Sequence, residues 1–410
     1  MNVTLLTPYK SVLHVRDLPA FTTQAYILHP FDELTLLFLD TYAKLILSDK
    51  SINRFPEIAA LGFWLRRSNL NKIKSENPHL FENKLFISAP LGKVLHICPA
   101  NVDTMFFYSF TISILAGNRN ILRLSNRMDA PHMMTLFSLL NQLLSEERFS
   151  VLQSYINIIS YGHEDNISEF LSQNVNARMI WGGDNTIKVF KRFNTAPRTK
   201  DIVFADRISL LCINCASYLT LNAKELDKFA DLFFNDAYTF DQMGCSSPQT
   251  IYLLGNDDEY TRCADTMQGH LKKYIENNYE AEIETLASLK LNRAVDDIID
   301  ERINKKFGDN YCTFVQLKDG RDDELFHSCG GGYFYLKHIK IIRELRSIIT
   351  AKLQTVSYFG LSDDDLNQLQ LLANNEGIDR IVPLGMALNF NYIWDGYNLL
   401  DELSKKVFIR

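Results

Sequence analysis

The sequence predicts an α/β protein of two domains, each built on a largely parallel sheet. Three observations predict it. Between residues 93 and 214, short apolar runs alternate with helical segments of about ten residues, the pattern of βαβ units. A second alternation of the same kind begins near residue 216. The chain has 410 residues, 46% of them apolar and 22% charged, which is core material for two or three domains.

Taken in order, residues 1 to about 85 read as mixed and mostly helical, with helical apolar spacing in FDELTLLFLDTYAKLILSD and PEIAALGFWLRRSNL. KVLHICP (93–99) is a strand. MFFYSFTISILAGN is a buried helix ended by Gly117 and Asn118. Its aromatics near Met105 to Phe110 suit either a long apolar tunnel or a packed core. NILRLS (120–125), YINIISYG (155–162) and ARMIWGG (177–183) are strands, with helices in APHMMTLFSLLNQLLSEE, near 164–172 and in NTIKVFKRF. IVFA and ISLLCIN are further strands. Beyond them KELDKFADLFFNDAYTF is a helix and QTIYLL a strand, and residues 257–307 read as one long charged helical region. YCTFVQLK, YFYLKHI, LQTVSYFG and DRIVPLG are strands. Between the last two lies a helix with Ser362 as N-cap and Gly377 past its end.

Composition narrows the function classes. A formal net charge of −6 gives no bias toward nucleic acid or an anionic membrane. The start of the chain lacks a charged stretch followed by an apolar one, so no signal peptide is expected. TMFFYSFTISILAG is too short and too rich in hydroxyls for a transmembrane segment. The expected location is cytoplasmic, where an odd set of seven cysteines without framework spacing stays free. Cys212 and Cys215 form C-x-x-C, but the apolar LLCINCASYL favours buried thiols over a redox pair. The nine histidines show no ligand spacing, so no metal is expected, and His96 reads as a sheet residue.

Parallel α/β sheets bind ligands at the carboxyl ends of strands, beside helix N-termini. Three places qualify: CPANVD, RLSNR and WGGDN. In FDQMGCSSPQ, Cys245 sits on a turn between helix and strand, and Gly244 and Ser246 leave room for a substrate. It is either a nucleophile for an acyl carbon or a small residue filling space. A nucleophile needs an oxyanion site, for which Asn101 offers a side-chain amide; otherwise Asn101 is a turn residue. Arg123, followed by Ser125 and Arg127, suits a phosphate monoester. Gly182 and Gly183 open a helix whose N–H groups suit a pyrophosphate, although Asp184 would repel one if it pointed inward; the alternative is a plain turn with an Asp N-cap. CGGGYF (329–334) is a second glycine cluster or a flexible turn.

PANVD, SILAGNRNILRLSN, MIWGGDNTIK, FDQMGCSSPQ and the closing RIVPLGMALNFNYIWDGYNLL, in that order, resemble the long-chain acyl-CoA (fatty acid) reductases of the bacterial luminescence type, within the aldehyde dehydrogenase superfamily. The resemblance covers roughly residues 85–405. It implies an aldehyde-dehydrogenase-like fold: a Rossmann-like cofactor-binding domain over 86–215, a catalytic domain over 216–390, and a C-terminal segment, 391–410, that packs against another subunit or on its own domain. It implies that Cys245 is the catalytic thiol and Asn101 the oxyanion-hole asparagine. Arg123 falls where most aldehyde dehydrogenases place a lysine on the adenosine ribose. Gly183 and Asp184 fall near the cofactor-proximal Gly-Ser turn; Asp184 departs from most relatives there but agrees with the luminescence-type branch.

The hydrolytic relatives carry a glutamate about a strand before the thiol. Here that strand is DRISLLCIN, with Leu210 and Leu211 at its centre, so reduction is expected over hydrolysis. The expected reaction forms a thioester on Cys245 from acyl-CoA or an acyl-protein and reduces it to a fatty aldehyde. NADPH is preferred over NADH because of Arg123, helped by Arg127 and Lys188. A homo-oligomer and an acyl-activating enzyme as partner are also implied. The alternatives are a short-chain CoA-acylating aldehyde dehydrogenase using NADH, and a non-catalytic homologue that accepts acyl groups.

Overall fold

The computed structural model describes residues 1–22, 27–98, 104–124, 130–318, 325–374 and 377–409. The chain forms two compact units, residues 1–205 with 391–410, and residues 206–390.

In the first unit the strands up to residue 205 are β1 (Asn2–Thr7), β2 (Ser11–His14), β3 (Phe86–Pro90), β4 (Lys93–Ile97), β5 (Arg119–Leu124), β6 (Ile156–Ser160), β7 (Ala177–Trp181) and β8 (Lys200–Phe204). Among the described residues all but β3 form one sheet, in the order β2-β1-β6-β5-β4-β7-β8. Strands β4 to β8 are mutually parallel where they pair. In chain order these five run third, second, first, fourth, fifth, so the order reverses between β4 and β7. That reversal is where doubly wound sheets open a ligand crevice. The strands are near-continuous apolar runs because helices cover both faces; every residue of β7 is buried. Arg178 on β7 binds Asp201 on β8 through two bonds of 2.7 Å and donates to Phe190 O at 2.9 Å. It thereby pins the helix Asp184–Arg192 that follows Gly182 and Gly183.

Two strands come from the region whose spacing reads as mostly helical. In NVTLLT the buried positions are Val3, Leu5 and Thr7, a two-residue period that fits an antiparallel strand beside β6. The helix Met105–Leu115 is core: nine of its eleven residues are buried, and Phe106, Phe107 and Phe110 pack among Tyr42 and Phe137. Its end needs a glycine, since Gly117 has φ +87° and a Cβ there would stand 2.7 Å from Leu28 O. His96 is a sheet residue, bonded to Ser109 Oγ at 2.8 Å and Asn120 Oδ1 at 2.9 Å; burial pushes its pKa down to about 4. The C-terminal segment packs on this unit. Ser404–Phe408 pairs antiparallel with β3, and Asn118 Nδ2 donates to Leu403 O at 2.9 Å.

The second unit contains β9 (Ile208–Asn214), β10 (Pro248–Leu254), β11 (Ile303–Gly308), β12 (Thr313–Leu317), β13 (Tyr333–Ile339), β14 (Leu353–Phe359) and β15 (Arg380–Pro383). Among the described residues they form one sheet, β11-β12-β13-β10-β9-β14-β15, parallel except for β11 against β12. Alternate residues feed its two faces. Leu211, Ile213, Ile251 and Leu253 pack with Phe229, Phe233 and Met267. Leu210, Cys212, Tyr252 and Leu254 pack with Leu345, Leu369 and Leu372. The charged stretch 257–307 is corrected: it holds two helices, Asp257–Asn278 and Ile283–Ile299, followed by β11. INKKFG escapes a strand reading because its lysines are exposed, a common device on an edge strand.

Candidate active site

Cys245 lies on the loop between the helix Ala223–Tyr238 and β10. The helix starts with a capping box, Asn222 with Glu225, and the loop turns through Asp241 and Gln242 at φ 51° and 62°. Left-handed conformations at non-glycine residues cost free energy and persist only where neighbours enforce them. Gln242 shows how. Its buried side chain donates to Pro248 O at 2.9 Å and Tyr333 O at 3.1 Å, and its Oε1 accepts from the N–H groups of Gly332 and Tyr333, both at 3.0 Å. Gly331 N–H donates to Asp241 O at 2.8 Å. The glycine cluster of CGGGYF is therefore a clamp on the cysteine loop. Three successive glycines with φ between 60° and 83° let the amides of Gly331 and Gly332 turn onto it, while the Gly330 N–H donates to Ser328 Oγ at 3.0 Å. A Cβ on Gly330 would meet Asp241 O at 2.8 Å.

The thiol sits at the amino edge of the second sheet, whereas the strand-end rule directed attention to carboxyl ends. Ser209 Oγ, at the start of β9, donates to Cys245 O at 2.7 Å. Gln354, second in β14, donates from Nε2 to Cys245 Sγ at 3.4 Å. Ser246 Oγ donates to Gln354 Oε1 at 2.9 Å and accepts from Arg380, first in β15, at 3.3 Å. The starts of β9, β14 and β15 thus converge on one loop. Gly244 and Ser246 are buried, and Ser246 faces this network instead of leaving room for a substrate.

Cys245 is half-buried, as is Cys329; the other five thiols are buried. Burial raises the pKa of Cys98 and Cys212 far above the usual thiol range, raises Cys329, and pushes Cys312 up to about 12. A hydrogen bond with Cys215 and then burial hold Cys263 up. Cys212 and Cys215 have 0% exposure, so this C-x-x-C lies in the core.

A second cluster braces the same loop. The Asp236 carboxylate, 1% exposed, accepts from Gly385 N–H at 2.7 Å and Ala387 N–H at 2.9 Å. Arg380 donates to Ala387 O at 2.7 Å and Asn389 O at 3.0 Å. Leu388 in that turn would lie 3.3 Å from a Cβ on Gly244. Burial pushes the Asp236 pKa up to about 7, against the pull of those N–H bonds and of Arg380.

In the first unit, Asn101, Ser125 and Arg127 lie outside the described residues. Arg123 stands at the carboxyl end of β5, its guanidinium 5.3 Å from the centre of the Tyr161 ring. Its charge reaches Cys98, just past β4. Its Nε is buried with no hydrogen-bond partner among the described residues. Gly182 and Gly183 end β7, and Gly183 is the N-cap of the helix Asp184–Arg192. A Cβ on Gly183 would meet nothing within 4 Å, so the space before this N-terminus is open. Asp184 and Lys188 are exposed, Asp184 in the first turn where the helix dipole favours a carboxylate. The sequence reading missed Gln354 and Arg380; the available signal was a glutamine inside the apolar alternation of LQTVSYFG. Among the described residues no group of three or more His, Cys, Asp or Glu side chains is placed to hold a metal, and no helix is long and apolar enough to cross a membrane.

Comparison with known proteins follows the same lines. The family described as acyl-CoA reductase (LuxC) matches residues 65–406. A long-chain acyl-protein thioester reductase of Photorhabdus laumondii is 23% identical over 310 residues, 74% of this chain and 61% of that protein. One of Photorhabdus luminescens is 23% identical over 301 residues, 72% and 59% of the two chains. The chain therefore aligns with about three-fifths of the length of these curated relatives. Among solved structures, an NAD-dependent aldehyde dehydrogenase from Sinorhizobium meliloti superposes with a TM-score of 0.65 at 13% identity, covering 92% of this chain and 81% of that one. An oxidoreductase from Marinobacter aquaeolei gives 0.65 at 12% identity, covering 100% and 94%. At such identities the likeness establishes the aldehyde-dehydrogenase-like fold.

Proposed function

Because this chain belongs to the acyl-CoA reductase (LuxC) family, we propose that it reduces a fatty acyl thioester to an aldehyde through an acyl-enzyme on Cys245. The observation that carries this reading is the setting of Cys245: a half-buried thiol on a braced loop with an amide N–H on its sulfur. The thiolate attacks the carbonyl carbon of an acyl-CoA or acyl-protein thioester. A new C–S bond forms, the donor's C–S bond breaks, and the donor thiol leaves with a proton. The Cys245 N–H and Asn101 are the oxyanion donors in this proposal. A reduced nicotinamide, when bound, would supply the hydride; with a proton it takes the thioester on Cys245 to a thiohemiacetal. Its collapse releases aldehyde and returns Cys245. In DRISLLCIN, Leu210 and Leu211 are buried on β9 and provide no base to drive water onto the thioester.

The first unit carries the residues that would hold the nicotinamide nucleotide. Arg123 offers a cation whose buried Nε has no partner among the described residues, and the helix start after Gly182 and Gly183 offers backbone N–H groups. Ser125, Asp184 and Lys188 complete the candidate set. Arg123 supports NADPH over NADH. Arg123→Ala is expected to lower the ratio of kcat/KM for NADPH to that for NADH about tenfold or more. An unchanged ratio would assign the preference elsewhere. We place the reaction in the cytoplasm, with an acyl-activating enzyme as supplier of the acyl group. Ile87, Val407 and Phe408, exposed on the ribbon formed by β3 and Ser404–Phe408, support self-association. The test of the whole reading is acylation without cofactor. Labelled acyl-CoA should leave a hydroxylamine-sensitive adduct on the Cys245 peptide, and an adduct that survives Cys245→Ala refutes it.

A further inference from the structure

We propose that Gln354 is a catalytic residue, whose carboxamide N–H binds the Cys245 sulfur and stabilises its thiolate. The inference rests on Cys245 being the acyl-carrying nucleophile. Three observations support it. Nε2 lies 3.4 Å from Sγ, within reach of an N–H···S bond. Such a bond is stronger to an anionic sulfur than to a thiol, so it lowers the thiol pKa.

The amide orientation is the second observation. Ser246 Oγ at 2.9 Å and Thr355 Oγ1 at 3.3 Å both reach Oε1. Ser246 Oγ already accepts from Arg380, which leaves its proton for the amide oxygen. With Oε1 engaged by two hydroxyls, the NH2 end faces the sulfur.

Third, the sheet holds donor and thiol in register. Ser209 Oγ donates to Cys245 O at 2.7 Å and accepts from Thr355 N–H at 3.2 Å, so one hydroxyl ties the cysteine backbone to the residue after Gln354. A fully buried glutamine is costly unless its polar atoms are bonded, and here both ends are. A site set on strands is held more closely than one set on loops alone.

The chemistry uses this donor twice. Sulfur is anionic when Cys245 attacks the thioester, and anionic again when the thiohemiacetal collapses and expels it. In the acyl-enzyme the thioester sulfur is a weak acceptor, so the bond favours the two reactive states over the resting intermediate. A carboxamide accepts no proton at neutral pH, so it raises the thiolate fraction without activating water.

The test reads the thiol directly. The rate of Cys245 alkylation by iodoacetamide is followed against pH by peptide mass spectrometry in the wild type, Gln354→Met and Gln354→Glu. Loss of the donor in Gln354→Met should shift the midpoint upward by about one pH unit, roughly tenfold less thiolate below it. Gln354→Glu should shift it further, because a carboxylate opposes the thiolate. A merely structural role would change the plateau rate and leave the midpoint in place, and an unmoved midpoint overturns the proposal. Should Gln354→Met not fold, Ser246→Ala combined with Thr355→Val keeps the glutamine but frees its amide. An upward shift there supports the assignment, and an unshifted profile overturns it. Acylation of the wild-type Cys245 is scored separately, so failure of the reductase reading and failure of the Gln354 assignment remain distinguishable.

Discussion

Cys245→Ala is expected to cut aldehyde formation from an acyl thioester by about three orders of magnitude or more. The reason is that no other thiol can take its place. Five of the remaining six are buried, and Cys329, the other half-buried one, has its pKa raised by burial. Cys245→Ser should fail nearly as completely, since an alcohol is far less acidic than a thiol and Gln354 cannot abstract its proton. Neither change should unfold the chain. The bracing bonds of the loop come from Gln242, Ser246 and the Cys245 carbonyl, none of which uses the sulfur. Cys245→Ser should melt close to wild type, within about 1 kcal/mol, whereas Cys245→Ala, which takes the sulfur acceptor from the buried Gln354 amide, should cost about 1–2 kcal/mol. Initial rates of aldehyde release, read beside thermal melts, check both halves. Retained turnover in either variant would remove Cys245 from the reaction.

The two parallel sheets were legible in the sequence because their strands are buried on both faces. Such strands read as apolar runs bounded by helices, which local spacing records. The cysteine loop was legible too, since a thiol flanked by Gly244 and Ser246 between helix and strand marks itself. What surrounds the thiol was not. Gln354 is 109 residues from Cys245, and parallel pairing of β9 with β10 and β14 brings them together. Spacing along the chain carries no trace of that register. The glycines at 330–332 stayed open between a second glycine cluster and a flexible turn because Asp241 and Gln242, the partners of Gly331 and Gly332, lie about ninety residues earlier. β1 and β11 escaped for a related reason: each is an antiparallel addition to a parallel sheet, short and partly polar, and only its neighbour makes it a strand.

Asp236 should make the stability of the chain fall as pH rises. Its pKa in the fold is about 7, against an ordinary 3.8. Between those values the folded chain keeps a proton that the unfolded chain has released. Folding therefore takes up a proton, and the stabilising contribution shrinks as pH rises. It is fully present below the unfolded value and is lost as pH passes through the folded one. Arg380, the charged group that favours ionisation here, opposes burial but does not cancel it. Asn does not titrate, so Asp236→Asn removes the effect. Between about pH 5 and about pH 8 the wild type should lose on the order of 2 kcal/mol relative to that variant, read from urea midpoints at each pH. Asp236→Ala should cost about 2–4 kcal/mol near neutrality, because the N–H groups of Gly385 and Ala387 lose a shared acceptor. The loss should also reach the thiol. Without Asp236 the turn at 384–389 keeps its bonds to Arg380, which also donates to Ser246, and the Leu384 N–H bond to Tyr358 O, but loses its acceptor for Gly385 and Ala387. Slower acylation of Cys245 in Asp236→Ala, with the iodoacetamide midpoint little changed, would mark Asp236 as a brace of the loop. A wild-type stability that runs parallel to Asp236→Asn across the pH range would show that its carboxyl is not the group that takes up the proton.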